Sequence, residues 1–148
     1  MMAEDRWTED NSEVYRQLAG VAVPSRAEQI ATLLALIPFQ RDSRVRIVEL
    51  ASGEGLLSEA ILHAFPNAAL LVLDGEETMR AATGGRLRPF GARATVDAFE
   101  MRDSDWYHLL DGAACVVSSL CVHHLNDAEK QTLFKAIYGR LSADGVLL

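Results

Sequence analysis

Lysine is almost missing from this chain of 148 residues: Lys130 and Lys135 are the only two, and 14 basic against 21 acidic residues leave a formal charge of −7. A surface that holds nucleic acid needs Lys and Arg along it to neutralise phosphates, so no nucleic-acid partner is expected. The one basic cluster, Arg80, Arg86, Arg88 and Arg93, falls around a helix end and a Gly-rich loop and reads as a solvated face. Cysteine is scarce as well. Cys115 and Cys121 are six residues apart, roughly 20 Å along an extended strand, whereas a disulfide holds its Cα atoms within about 7 Å. Unless the chain folds back between them, they are free thiols of a reducing compartment. Long apolar runs are absent too, so no membrane span is expected. The start, Met1-Met2-Ala3-Glu4-Asp5, is acidic and has no hydrophobic segment of a secretory leader, which makes cytoplasmic the expected location.

What is present is the composition of a soluble globular protein, with 49% apolar and 24% charged residues. The length suits one domain with a single core. The expected division is N-terminal helices over residues 1–40 and a core over residues 41–148.

Along the chain, a polar start through about Asp10 leads to a helix from Asn11 or Ser12 that includes Val14, Tyr15 and Leu18 and closes at Gly20. Ser25-Arg26-Ala27-Glu28 has the form of a capping box, and Ile30, Leu33, Leu34 and Ile37 follow at helical spacing before Pro38. A first strand is expected at about Val45 to Leu50. A short amphipathic helix carries Leu56, Leu57, Ala60, Ile61 and Ala64 up to Pro66-Asn67. Ala69 to Leu73 is apolar on both faces, as a strand covered by helices on both sides would be, and it ends in Asp74-Gly75. A helix with Met79, Ala81 and Ala82 precedes a loop from Thr83-Gly84-Gly85 to Gly91.

A third strand, Ala94 to Val96, ends in Asp97-Ala98-Phe99. Trp106, Leu109 and Leu110 suggest a short helix within Met101 to Leu110, and Ala113 to Ser118 is the fourth strand. Asn126 and Glu129 open a long helix with Leu133, Phe134, Ile137 and Leu141 on one face. Asp144-Gly145 turns the chain into Val146-Leu147-Leu148. Strands alternating with helices predict an α/β fold, a doubly wound, mostly parallel sheet with helices on both faces and right-handed crossovers.

The stretch that organises the rest is Ile47-Val48-Glu49-Leu50-Ala51-Ser52-Gly53-Glu54-Gly55-Leu56-Leu57-Ser58. A strand that feeds a Gly-rich turn and then a helix N-terminus cradles a nucleotide, because glycine lets the backbone approach closely and the first helical N–H groups point outward. Glu49 at the mouth would repel a pyrophosphate and suits a cation. Asp74, nineteen residues beyond Gly55, ends the next strand, where a carboxylate can pair with both hydroxyls of a ribose.

These residues resemble the first motifs of class I S-adenosylmethionine-dependent methyltransferases of the small-molecule type, with Ala51 in place of the usual first glycine. The resemblance covers roughly Tyr15 to Leu148. It implies a Rossmann-like fold and S-adenosyl-L-methionine as cofactor. Glu49 would lie near the methionine ammonium, the backbone of Ala51, Ser52, Gly53 and Gly55 along the amino acid part, Asp74 on the ribose, and Gly75 to Met79 beside the adenosine. Asp97, Ala98 and Phe99 look like the third motif, at the adenine edge. Ser118-Ser119-Leu120-Cys121-Val122-His123-His124-Leu125 is similar to the family's strand, loop and His-His-Leu run; Ala114 stands where the family often has an acid. The family normally adds two further strands after the fifth, so the expectation is a C-terminally truncated domain that is a homo-oligomer or lacks a C-terminal segment.

A nicotinamide cofactor would require a third glycine where Ser58 stands and would leave Glu49 without a favourable partner. A non-catalytic nucleoside-binding module is the other alternative, motivated by Ala114, the altered Ala143-Asp144 turn and the short C-terminus. The resemblance implies a small-molecule methyl acceptor, with Tyr15, Arg26 and the Leu120 to Leu125 loop facing it. His123, His124 and Tyr15 are the residues that could act as a base. Adjacent histidines without an acid or a third histidine at ligand spacing predict no metal site.

Overall fold

The computed structural model describes residues 8–22 and 25–148. The acidic start through residue 7, and Val23-Pro24, fall outside the described residues. Five strands form one parallel sheet in the order β3-β2-β1-β4-β5: β1 is Arg46–Leu50, β2 Ala69–Asp74, β3 Ala94–Ala98, β4 Ala113–Ser118 and β5 Leu141–Leu147. The helices are α1 (Glu9–Ala22), α2 (Arg26–Leu36), α3 (Leu56–Ala64), α4 (Glu77–Leu87) and α5 (Asp127–Tyr138).

The both-sided apolar pattern of the central strands has the cause read from the sequence. Alternate residues of β1 enter two separate clusters. Ile47 packs with Leu57, Ile61 and Phe65 of the α3 side, and α2 adds Ile30, Leu33 and Leu34 there. Val48 and Leu50 pack with Trp106, Leu110, Leu133 and Ile137 of the α5 side. Each fully buried aliphatic side chain contributes about 1.5–3 kcal/mol, so the sheet is held from both faces.

The rim at the N-terminal ends of the strands is stitched by arginines to carbonyls. Arg46 donates to the Leu109 and Asp111 carbonyls, and Arg93 to those of Leu62, Phe65 and Ala68. This corrects the reading of the arginine cluster as a solvated face for three of its four members, since Arg80 and Arg86 are likewise turned inward, onto the Asp74 and Glu54 carbonyls, while Arg88 is exposed.

Several other expectations change. The first helix begins at Glu9 and passes Gly20 to Ala22. Ser25 is left-handed (φ 59°) and makes no side-chain cap, so the Ser25-x-x-Glu28 capping box is not formed. The Asn126–Glu129 box is, with both reciprocal bonds present. Thr83-Gly84-Gly85 belongs to α4 rather than a loop, since Thr83 is buried against the turn after β1 and its contacts outweigh the low helix propensity of two glycines. Met101 to Leu110 contains only a short 3₁₀ turn, Tyr107–Leu110, with Trp106 buried just before it.

Leu141 opens β5 instead of closing the last helix, and Asp144-Gly145 sits inside that strand, where the register against β4 shifts between Ala113 and Cys115. A shift of register lets a polar pair interrupt a strand without ending it. Phe134 and Tyr138 are exposed, Tyr138 at 84%. Cys115 and Cys121 are free and buried. Among the described residues no helix is long and apolar enough to cross a membrane.

Candidate functional site

The strand order reverses direction between β1 and β4, and in open α/β sheets the ligand crevice lies outside the C-terminal strand ends at that point. β1 delivers Glu49 there. Its side chain is 1% exposed and accepts a hydrogen bond from the Ser58 hydroxyl of α3. Burial pushes its carboxyl up to about 7; Ser58 and the charge of Arg26 oppose the rise, and Asp74 adds to it.

The turn after β1 places Ala51, Gly53 and Gly55 in left-handed conformations, with φ of 58°, 56° and 81°. The alternate small residues of the sequence mark these positions. The Ala51 N–H donates to the Leu73 carbonyl at 2.7 Å, which ties the turn to β2. Asp74 ends β2, is 5% exposed, and its carboxyl is raised by burial. One carboxylate oxygen accepts from the Gly53 N–H at 3.2 Å and the Ser52 hydroxyl at 3.5 Å; the other accepts from the Glu76 N–H at 3.0 Å. Thr83 of α4 donates to the Gly53 carbonyl at 2.9 Å and lies 3.0 Å from the Ser52 hydroxyl oxygen.

Glu49 is bonded separately to Ser58, while Ser52, Gly53, Asp74 and Thr83 form one hydrogen-bonded unit, to which the Gly55 N–H adds a bond to the Ser52 carbonyl. Gly75 is exposed next to it, and a Cβ there would come within 3.3 Å of the Phe99 carbonyl, so the ends of β2 and β3 approach closely. Met79 is buried on α4; Asp97 and Ala98 are exposed at the end of β3, and the Asp97 carboxylate accepts the Ala98 N–H at 2.7 Å. Phe99 is buried edge-on against Trp106. On the other side of the crevice Ser118 donates to the Leu50 carbonyl at 3.4 Å, and Ser119 accepts from Arg26 at 2.6 Å.

His123 is exposed and His124 half-buried in a short turn, Val122–His124, with their rings 4.2 Å apart. Tyr15 is half-buried on α1. Among the described residues no group of three His, Cys, Asp or Glu is placed to hold a metal ion.

Two contributions of α1 escaped the sequence reading. The Glu9 carboxylate accepts the backbone N–H groups of Glu77 and Thr78 and so caps the start of α4, and Arg16 pairs with Glu54 of the turn at 2.7 Å. No local pattern could show either bond, since the partners are 68 and 38 residues apart. Between α2 and the segment after β4 lies a hollow of about 500 Å³, lined by Gln29, Thr32, Leu33, Ser118, Ser119 and Leu120 among others.

The donor set fits S-adenosylmethionine. A carboxylate removed from water with only a neutral hydroxyl bonded to it calls for a cation, and the cofactor's amino acid end supplies one. Asp74 accepts three hydrogen bonds of the roughly four that a carboxylate can take, so a ribose hydroxyl would share or displace the longest of them.

A Rossmann-like sheet with a left-handed small-residue turn, one acid under it and one beside it defines a nucleoside-binding α/β protein. Residues 47–145 match the family model described as a methyltransferase domain. The chain belongs to that family. It is 30% identical over 112 residues to the malonyl-[acyl-carrier protein] O-methyltransferase of Bacillus cytotoxicus, covering 74% of this chain and 36% of that protein. It is 23% identical over 141 residues to the carboxy-S-adenosyl-L-methionine synthase of Nautilia profundicola, covering 95% of this chain and 58% of that protein. The solved structure of the mitomycin 7-O-methyltransferase MmcR superposes with a TM-score of 0.73 at 17% identity, over 93% of this chain and 38% of that one. The chain thus spans about a third to somewhat over half of the length of these relatives.

Proposed function

We propose that residues 1–148 act as one domain that binds S-adenosyl-L-methionine and transfers its methyl group to a small-molecule acceptor. The observation that carries this reading is Glu49: a carboxylate 1% exposed at the end of the central strand, bonded to a neutral hydroxyl beside a left-handed turn. When bound, the cofactor would supply a sulfonium whose methyl carbon is the electrophile and whose sulfur leaves as the thioether of S-adenosylhomocysteine.

The chain's own residues hold and orient. Glu49 faces the ammonium; the N–H groups of the Ala51 to Gly55 turn follow the amino acid part; Asp74 takes the ribose hydroxyls. Gly75 and Met79 border the adenosine, Asp97, Ala98 and Phe99 meet the adenine edge, and Ser118 and Ser119 form the opposite wall. Positioning supplies most of the rate in such a displacement, so the fold demands no particular base. If the acceptor must lose a proton, Tyr15 of α1 and His123 and His124 of the turn after β4 are the candidate bases. The relatives named above are methyltransferases and a synthase of a cofactor derivative, which supports the reaction class and leaves the acceptor to this chain's own pocket.

Thermal unfolding with S-adenosylmethionine, S-adenosylhomocysteine and NAD in parallel tests the reading. The first two should raise the midpoint, because a ligand that binds only the folded state stabilises it. A shift with NAD alone, or with none of the three, would overturn it.

A further inference from the structure

Between the turn after β1 and the end of β2, three acceptors compete for one proton. The Ser52 hydroxyl oxygen lies 3.0 Å from Thr83 Oγ1, 3.5 Å from Asp74 Oδ2 and 3.5 Å from the Gly53 carbonyl oxygen. Ser52 and Asp74 are each 5% exposed and Thr83 is fully buried, so these groups depend on one another for hydrogen bonds. A hydroxyl has a single proton to donate. That of Thr83 has an acceptor of its own, the Gly53 carbonyl at 2.9 Å.

The two protons can be arranged in two ways. In the first, Thr83 donates to Gly53 and accepts from Ser52, and both hydroxyls use their shortest contact. In the second, Thr83 donates to Ser52 and Ser52 to Asp74, which exchanges the 2.9 Å contact for one of 3.5 Å, beyond the usual range for an O–H donor. Geometry favours the first. Asp74 is then left with the N–H groups of Gly53 and Glu76, one on each carboxylate oxygen, at 3.2 and 3.0 Å. A carboxylate takes about four hydrogen bonds, so each oxygen keeps a lone pair, and two adjacent hydroxyls match two such acceptors.

We infer that Thr83 is a positioning residue for the cofactor: by holding the Ser52 proton away from Asp74, its hydroxyl leaves the carboxylate open to both ribose hydroxyls. The inference rests on the cofactor reading above and adds to it a fully buried residue of α4 that acts through Ser52. Without the Thr83 hydroxyl, the Ser52 proton turns to Asp74, the charged acceptor that remains, and competes with the ribose for one lone pair. The competing account is packing alone, since the Thr83 side chain also fills the space beside Gly55.

The test compares calorimetric affinities for S-adenosylhomocysteine and for its dideoxy form, which lacks both ribose hydroxyls. The unsubstituted chain should prefer the first by about tenfold or more, as expected for lost hydrogen bonds to a carboxylate. Thr83→Val keeps the branched shape beside Gly55 and loses the hydroxyl; it should cut that preference by about three- to tenfold, the range of one hydrogen bond. Thr83→Ser should keep it. Adding Ser52→Ala to Thr83→Val removes the competing proton and should restore the preference to within about twofold of the original, a rescue that packing alone does not predict. Circular dichroism confirms that each variant is folded, and Thr83→Ala takes the place of a Thr83→Val that is not. An unchanged preference in Thr83→Val, equal losses for both ligands, or a double variant no better than the single one would overturn the inference and leave the cofactor reading standing. No preference in the unsubstituted chain would overturn it together with the ribose role of Asp74, and no binding of either ligand would overturn the cofactor reading as well.

Discussion

The side chain of Thr83 occupies the space that a Cβ on Gly55 would need: Cγ2 would lie 3.0 Å and Oγ1 3.2 Å from it. The turn after β1 and the helix after β2 are thereby fitted together at the one glycine whose φ is also 81°. Two independent constraints, backbone and packing, converge on this position.

Gly55→Ala should therefore destabilise the chain by about 1–3 kcal/mol, with strained φ and overpacking both contributing. Ala51 is the opposite case, a left-handed position that already carries a methyl group. Ala51→Gly relieves that strain and loses some unfolded-state rigidity, for a net gain of about 0.5–1 kcal/mol. Chemical denaturation of both variants checks the pair, and the same sign for the two would refute the account.

Asp74→Ala removes the acceptor shared by the Gly53 and Glu76 N–H groups as well as the proposed ribose contact. Cofactor affinity should fall by about 1–3 kcal/mol, and the free chain should lose stability too. Calorimetry at a temperature where the variant is folded separates the two effects. Unchanged affinity would exclude the ribose role.

Glu49 gives a pH signature. Its carboxyl stands at about 7 in the folded chain, above the ~4.3 of an exposed glutamate, so between those values the folded state binds a proton that the unfolded state releases. Its contribution to stability therefore falls as pH rises through that window, and Asp74, also raised, acts in the same direction. A bound ammonium reverses the preference by favouring the carboxylate. Cofactor affinity should weaken about tenfold per unit below pH 7 and level off above it. Glu49→Gln should flatten the profile, which calorimetry from pH 5.5 to 7.5 would show.

Arg16→Glu puts like charges where α1 now pairs with the turn at Glu54. The amides of α1 should exchange with solvent faster while those of α5 keep their protection, as read by hydrogen exchange with mass spectrometry. Equal acceleration in both helices would mean that the pair holds more than the local contact.

The sheet was legible because its evidence is local. Glu49-Leu50-Ala51-Ser52-Gly53-Glu54-Gly55 announces a strand, a Gly-rich turn and a helix start within a few residues, and Ala69 to Leu73 is apolar on both faces for the reason found. The misreadings share one cause. Thr83-Gly84-Gly85 reads as a loop by propensity, yet Thr83 is fixed by bonds to residues some 30 positions earlier. Ser25 has the letters of a cap, but its backbone is left-handed, next to an Arg26 whose partner Ser119 is 93 positions away. Nothing local marks Glu9 or Arg16, whose partners lie on α4 and in the turn after β1. Glu49 and Asp74 could be read from strand ends; the bonds of Arg16 to Glu54 and of Arg26 to Ser119 could not, because they depend on how the helices lie.

The arginine-to-carbonyl stitches of Arg46 and Arg93 lie at the rim opposite the crevice. Folding and recognition therefore draw on different ends of the same strands. Exchanges in the segments after β4 and ahead of α2 can reshape what the hollow admits without touching the contacts that secure the sheet. A library confined to those segments should yield mostly folded proteins with altered acceptors, whereas one spread over Arg46 and Arg93 should yield mostly unfolded ones.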